Sequence, residues 1–400
     1  MPPRVYLLTP QSPEPGEVSF GGLATHTQEL VAGLEALGCQ PTVITSRLTK
    51  PPGADTSPTP QQLQRFTEEL TSHLLALSER TGEKPDVLHC HDFWTVPAAL
   101  QVQRRLGAKL LISVHRLHLP LRRGWGSVAS DAVGAEEKQS CHAATALIAV
   151  SASLRDVLHE SLGVPLEKMT VVHNGFDTGL FQKPPAPETL AALREQWGLQ
   201  GRRVIAFAGS PTHQKGVVPL LRSALRVLKA QPDVTYALAG MDVQDGSESQ
   251  QIAAEVAALE AEHPVLKSNV KRLGNLSREQ LAALYHLSEL TVVPSLYEPS
   301  GDAVVEPMAA GCPVVAVASG GPAEILQDEA SGLLVPVQRD GDGRLRLDDS
   351  ELAWAQLRVL WEPGLASTLR EAGRRVAEAR FNRATMARAT LAVYERLSQA

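Results

Sequence analysis

The chain has 400 residues, 43% of them hydrophobic and 20% charged, with 38 Lys and Arg against 44 Asp and Glu for a formal net charge of −6. That length exceeds one ordinary core and points to two domains of about 180–200 residues, and the balance is that of a soluble globular chain. It argues against a nucleic-acid partner: no strongly basic domain stands out, and aromatics at 4% are too sparse for stacking platforms.

No apolar run approaches a bilayer span, so no transmembrane segment is expected. The start, Met1-Pro2-Pro3-Arg4 followed by Val5 to Leu8, reads as a first strand and not as a signal peptide. Cys39, Cys90, Cys141 and Cys312 are far apart, without metal-ligand spacing. Buried free thiols in a reducing cytoplasm are the expectation.

The first half alternates strands and helices. Val5–Thr9 is a predicted strand, Gly21-Gly22 opens a helix that Gly38 stops, and Pro41–Ser46 is the second strand. The proline-rich stretch Lys50–Pro60 is a loop, and Gln61–Arg80 is a long helix. Asp86–His89, Leu110–His115 and Ala146–Ser151 are further strands, and Val171-Val172 leads into His173-Asn174-Gly175-Phe176-Asp177. Lys183-Pro184-Pro185-Ala186-Pro187 is a stiff linker. Beyond it, Val204–Ala208, Thr235–Gly240, Val270–Arg272, Leu290–Pro294 and Pro313–Ala318 are strands of a second unit. Asp340-Gly341-Asp342-Gly343 is a surface turn, and the last helix covers about Arg383–Ser398. This alternation implies two doubly wound parallel sheets, with ligands expected in a deep cleft between their rims. The expected domains are 1–182 and 183–382, with a C-terminal helix, 383–400, packing back on the first domain.

Two glutamates, Glu298 and Glu306, flank seven residues between the strand at Leu290 and the strand at Pro313. Glu298 falls in a loop with Pro299 and Gly301; Glu306 is expected near the start of a short helix ending at Gly311. Two ionised carboxylates at the strand rim suit a ligand rich in hydroxyls, since they only accept hydrogen bonds.

Other strand ends carry further candidates. Phe20-Gly21-Gly22-Leu23-Ala24-Thr25-His26 can bring a phosphate or sugar to helix amides, although the third spaced glycine of a dinucleotide fingerprint is missing. Gly209-Ser210-Pro211-Thr212-His213-Gln214-Lys215-Gly216 offers a lysine to a diphosphate without P-loop spacing. His89-Cys90-His91-Asp92 and His115-Arg116-Leu117-His118 raise a zinc site, but no Cys or acid cluster completes a ligand set, and no metal is expected. Gly320-Gly321-Pro322-Ala323-Glu324 adds backbone amides at one more strand end.

Taken together these pieces resemble the retaining glycosyltransferases of family 4, which have the GT-B fold, and the resemblance covers nearly the whole chain. Its strongest part runs from Arg272-Leu273-Gly274 through Pro294-Ser295-Leu296-Tyr297-Glu298 to Gly332-Leu333-Leu334-Val335-Pro336. Glu298 and Glu306 match the family's E-x7-E motif, and Asn174-Gly175-Phe176-Asp177 with Phe181 its inter-domain signature. The resemblance implies that Glu306 binds the ribose and Glu298 the transferred sugar or its catalytic face. Lys215 would grip the diphosphate, and His115 would contact the donor sugar and take part in catalysis. Gly22 would lie near the phosphate or acceptor, and Ser210 and Gly301 would line the donor site.

Three positions depart from the family pattern. Ser210 stands where the family places a phosphate-pairing arginine, with His213, Arg202 or Arg203 as compensating cations. Asp302 replaces an apolar residue, and Pro307 follows Glu306 at an expected helix start. The implied activity is transfer of a hexose, glucose favoured through a likeness to glycogen and starch synthases around Gly22 and Ser113-Val114-His115. The donor is a UDP- or ADP-sugar, with no cofactor, no metal and retention at the anomeric carbon. A glycan or lipid-linked acceptor would meet Lys50–Pro60 or Leu119–Val133, the latter carrying Arg122, Arg123 and Trp125. A binding protein without turnover and a sugar-nucleotide epimerase are the alternatives.

Overall fold

The computed structural model of the chain describes residues 2–10, 22–45, 60–117, 131–241, 247–339, 341 and 345–399. Gly21, His118, the loop candidates at 50–59 and 119–130, and residues 340, 342 and 343 of the expected turn lie outside the described residues.

Two compact units emerge: the described residues of Met1–Arg122, Ser127–Phe176 and Phe381–Ala400 form one, and those of Asp177–Arg380 belong to the other. The first runs β1 (Val5–Leu8), α1 (Gly22–Ala36), β2 (Thr42–Ile44), α2 (Pro60–Thr81), β3 (Val87–His91), α3 (Val96–Leu106), β4 (Lys109–Val114), α4 (Asp131–Ala143), β5 (Ala146–Ala149), α5 (Ala152–Leu162) and β6 (Met169–Val171). The second contributes α6 (Thr178–Gln182), α7 (Pro187–Gln196), β7 (Arg203–Ala208), α8 (Val217–Ala230), β8 (Val234–Ala239), α9 (Ser247–Glu262), α10 (Pro264–Asn269), β9 (Val270–Gly274), α11 (Arg278–Leu287) and β10 (Leu290–Val293). It continues through α12 (Asp302–Ala310), β11 (Val314–Val317), α13 (Gly321–Ile325), β12 (Leu333–Val335), β13 (Val337–Arg339), β14 (Leu345–Leu347), α14 (Asp349–Trp361) and α15 (Pro363–Arg380). The last helix, α16 (Arg383–Gln399), returns to the first unit.

The first sheet has the order β2-β1-β3-β4-β5-β6 and is parallel throughout. Strand alternation sends its apolar residues to two cores. Tyr6, Leu8, Leu88, Cys90, Leu110 and Ile112 meet Phe66, Leu70 and Leu74 of α2 and Val102 of α3. Val5, Leu7, Val87 and Leu111 meet Leu30 and Leu34 of α1 and Met386, Val393 and Tyr394 of α16. Helices α1 and α16 approach closely because Gly33 has no side chain: a Cβ there would stand 2.7 Å from Ala387 Cβ. Burial of both faces explains why these strands read as nearly unbroken apolar runs.

The second sheet has the order β12-β11-β10-β7-β8-β9, again parallel. Helix α8 presents Val217, Leu220, Leu221, Ala224 and Val227 to its core, the heptad-like spacing of a half-buried helix. The turn expected at 340–343 falls between β13 and β14, an antiparallel pair. All four cysteines are free and buried, and burial pushes Cys90, Cys141 and Cys312 up to about 12, which makes them inert thiols.

Two expectations are corrected. Pro307 is not at a helix start: α12 already begins at Asp302, so Pro307 lies inside it and Glu306 is beyond the first turn. The helix starts early because Gly301, at φ 80°, turns the chain directly into it. Arg202 and Arg203 cannot stand in for the missing arginine. They lie at the start of β7, where Arg202 bonds Thr235 Oγ1 at 2.8 Å and Arg203 bonds the Leu360 carbonyl at 3.1 Å. Ser210 follows the other end of that strand, about 16 Å away at ordinary strand rise.

Candidate active site

In each sheet the strand order reverses once, between β1 and β3 in the first and between β7 and β10 in the second. At such a switch the outgoing connections leave to opposite faces and open a crevice at the carboxyl ends of the strands. The residues singled out from the sequence gather at these two places.

In the second unit Lys215 ends the loop after β7, and Glu298 lies in the loop after β10. Lys215 Nζ is 2.6 Å from Glu298 Oε2, with the lysine side chain 24% and the glutamate side chain 9% exposed. The two loops are latched by backbone groups. Gln214 Nε2 donates to the Tyr297 carbonyl at 2.8 Å, and the Leu296 N–H donates to the Gln214 carbonyl at 3.0 Å. Gly216 is required at φ 68°, since a Cβ there would lie 2.1 Å from the Pro294 carbonyl oxygen. The lysine stem packs on Gly209, whose added Cβ would stand 3.4 Å from Lys215 Cγ. The loop therefore folds back on itself with Ser210 next to that contact. On the other side the Glu298 carbonyl accepts the Gly321 N–H at 2.7 Å, which ties the loops after β10 and β11.

Helices α8 and α12 both begin at this rim. Their N-caps, Gly216 and Gly301, supply no side-chain hydrogen bond. By contrast Ser277 and Gln280 close α11 with a capping box. Uncapped first-turn amides and the positive end of the helix dipole favour an anion there. Glu306 is half-buried on α12. The hydroxyl of Tyr285, buried on α11, faces Glu306; burial first and then the nearby Glu306 charge raise its pKa well above the usual value. Tyr285 was not singled out from the sequence, because its distance in the chain from Glu306 hides the packing of α11 on α12. His213 is exposed, and its backbone N–H bonds Glu248 Oε1 at 3.0 Å.

In the first unit Gly22 is the exposed first residue of α1, and a side chain there would meet nothing within 4 Å. His115 follows β4 directly. Its backbone N–H donates to Asp92 Oδ1 at 2.7 Å, while the Asp92 N–H donates to the Ser113 carbonyl at 2.9 Å. Asp92 holds φ 56° and ψ 177°, a region nearly confined to glycine. His91 Nδ1 is 3.0 Å from His115 Nε2, and the ring of His26, on α1, packs on His115 with centroids 4.4 Å apart. His89 lies deeper, its nitrogens on Tyr394 Oη at 2.7 Å and Ser113 Oγ at 2.8 Å. Burial lowers the pKa of His115 to about 4, and burial with the neighbouring histidines holds His26, His89 and His91 well below the usual range. All four rings are neutral near pH 7. The histidine pairs read from the sequence lacked His26, which only the packing of α1 supplies.

The family described as Glycosyltransferase Family 4 matches residues 20–180, and that described as Glycosyl transferases group 1 matches residues 189–343. The chain is 30% identical over 405 residues to the alpha-maltose-1-phosphate synthase of Mycolicibacterium smegmatis, covering 99% of this chain and 100% of that one. Its fold is similar to that of sucrose-phosphate synthase from Thermosynechococcus elongatus, with TM-score 0.80, 23% identity, and 98% and 99% of the two chains covered. It is also similar to the catalytic domain of starch synthase IV from Arabidopsis thaliana bound to ADP and acarbose, with TM-score 0.76, 17% identity and 100% of both chains covered. Two switch-point sites on two parallel sheets, with these matches along both halves, show that the chain belongs to the family 4 glycosyltransferases and has the GT-B fold.

Proposed function

We propose that the chain transfers a hexose, glucose favoured, from a nucleoside diphosphate sugar to a glycan or lipid-linked acceptor, with retention at the anomeric carbon. The observation that carries this reading is the Lys215–Glu298 pair at the switch point of the second unit. It sets one cation for a diphosphate beside one carboxylate for sugar hydroxyls. The second unit is the donor side in this reading. Glu306 takes the ribose, Lys215 the diphosphate and Glu298 the hexose, with Ser210 and Gly301 lining the phosphates. The first unit is the acceptor side, where Gly22 opens α1 and the neutral ring of His115 can accept or donate a hydrogen bond at the sugar. The names of the maltose-phosphate and starch synthases support glucose, and the ADP on the latter supports a nucleotide donor.

Departure of the diphosphate needs its growing charge neutralised. Lys215 and the uncapped amides of α8 and α12 supply that without a divalent cation; one such preorganised group contributes about 3–4 kcal/mol to the transition state. The test is a thermal-shift and calorimetric screen of UDP, ADP and their glucose conjugates, followed by nuclear magnetic resonance of the transferred sugar. Saturable binding of a diphosphate and an α-linked product from an α-linked donor are expected. Absence of binding for every nucleotide diphosphate would overturn the reading. Among the described residues no helix is long and apolar enough to cross a membrane.

A further inference from the structure

We propose that His26, His91 and His115 form a transition-metal site, selective for zinc-like cations, whose occupation blocks His115. One ring nitrogen from each of the three lies within 4.8 Å of the others. They come from three chain segments that converge at the β1/β3 switch point: helix α1, the end of β3 and the residue after β4. Three imidazoles with no thiolate or carboxylate suit zinc, copper or nickel and not calcium or magnesium. Three protein ligands also leave the fourth tetrahedral position to water.

The nitrogens are poorly used by the protein itself. Neither ring nitrogen of His26 meets a partner in hydrogen-bonding geometry, although Asn174 stands close enough to offset part of its pKa shift. The buried Nε2 of His91 is also unpartnered. Unsatisfied buried nitrogens are costly, and a cation would satisfy one of those on His26.

The geometry asks for a small contraction. Zinc–nitrogen bonds of about 2.0–2.1 Å put ligand nitrogens about 3.3 Å apart in a tetrahedron. His91 Nδ1 and His115 Nε2 are at 3.0 Å now, a spacing set by a shared proton. Metal entry requires the donor ring to carry that proton on its other nitrogen. His115, half-buried, gives the cation its way in. Its neighbours hold the rest of the cluster: Asp92 fixes its backbone, and His89, bonded to Tyr394 and Ser113, stays outside the ligand set.

The blocking part of the proposal rests on the reading of His115 as the residue that meets the donor sugar. Metal binding is therefore measured apart from turnover. Cobalt(II) titration of the full chain should give one ion per chain, with the visible absorption of a tetrahedral nitrogen site, displaced by zinc. His26→Gln should weaken zinc by about tenfold or more, at least the effect of losing an outer partner of a bound metal. His89→Gln should leave zinc affinity unchanged. Zinc should inhibit transfer by the wild-type chain, chelator should reverse this, and His26→Gln should shift the inhibitory concentration upward with its affinity. Lack of a tetrahedral cobalt spectrum in the wild-type chain overturns the site, whatever the variants do. Equal zinc affinity in His26→Gln, in a chain that still folds, overturns the ligand set. One bound zinc that leaves transfer untouched overturns the blocking role of His115 while the site stands.

Discussion

The carboxylate of Asp92 accepts the backbone N–H of His115 at 2.7 Å from a backbone held at φ 56°. Strain of about 1–3 kcal/mol is kept at the end of β3 by a charge-assisted bond of similar size to the end of β4. Asp92→Gly should relieve the strain while losing the bond, and leave stability within about 1 kcal/mol. Asp92→Ala loses the bond and keeps the strain, and should cost about 2–3 kcal/mol. Both should lower transfer through displacement of His115. Urea unfolding read beside turnover checks this, and equal stability of the two variants would contradict the account.

Lys215 is paired with Glu298 at 2.6 Å, so in the proposed donor site Glu298 competes with the diphosphate for it. Glu298→Gln removes that competitor, so affinity for a nucleoside diphosphate should rise while transfer falls. Lys215→Met should do the reverse to affinity. It also leaves a nearly buried carboxylate unpaired, at a stability cost of about 1–3 kcal/mol, since the lysine is partly solvated. Calorimetry with the diphosphate and the monophosphate is the check; a rise of equal size for both ligands in Glu298→Gln would be against it.

Glu306→Ala should weaken nucleotide binding without unfolding the second unit, because the residue is only half-buried on α12. Tyr285→Phe should weaken it less, acting only through the placement of Glu306. Unchanged nucleotide affinity in a folded Glu306→Ala protein would remove the ribose assignment.

Ser210→Arg tests the lost cation. Arginine binds phosphate through two parallel hydrogen bonds where lysine acts as a point charge, so the variant should favour diphosphate over monophosphate more strongly than the wild type. An unchanged ratio between the two ligands means that Ser210 does not face the diphosphate.

Acid should loosen the first unit. Four histidines have folded pKa values below the ordinary value near 6.5, with His115 at about 4. Between those limits the unfolded chain binds more protons than the folded one, so stability is full above pH about 6.5 and is lost as pH falls toward 4. His89→Phe, which removes one such group, should flatten the fall in Tm over that window. A Tm independent of pH between 6.5 and 4 would refute the burial of these rings.

Much was legible because parallel strands buried on both faces read as short apolar runs, and glycines at positive φ mark where helices start and stop. The positions of Lys215 and Glu298 in loops that follow strands, and the stop of α12 at Gly311, followed from local patterns of that kind. Pro307 was misplaced because helix starts are local only to within a few residues, and a proline that suits a first turn here sits inside the helix.

The amino-acid sequence by itself determined the two doubly wound units, the loops at strand ends that hold Lys215, Glu298 and His115, and the burial of the cysteines, since each depends on near neighbours in the chain. Tertiary structure alone decided which strand ends meet. It put Lys215 on Glu298, Tyr285 beside Glu306, and Arg202 and Arg203 at the far end of β7. It brought His26 from α1 to His91 and His115. These relationships join residues tens of positions apart, set by the order of strands in each sheet, and spacing along the chain carries no information about that order.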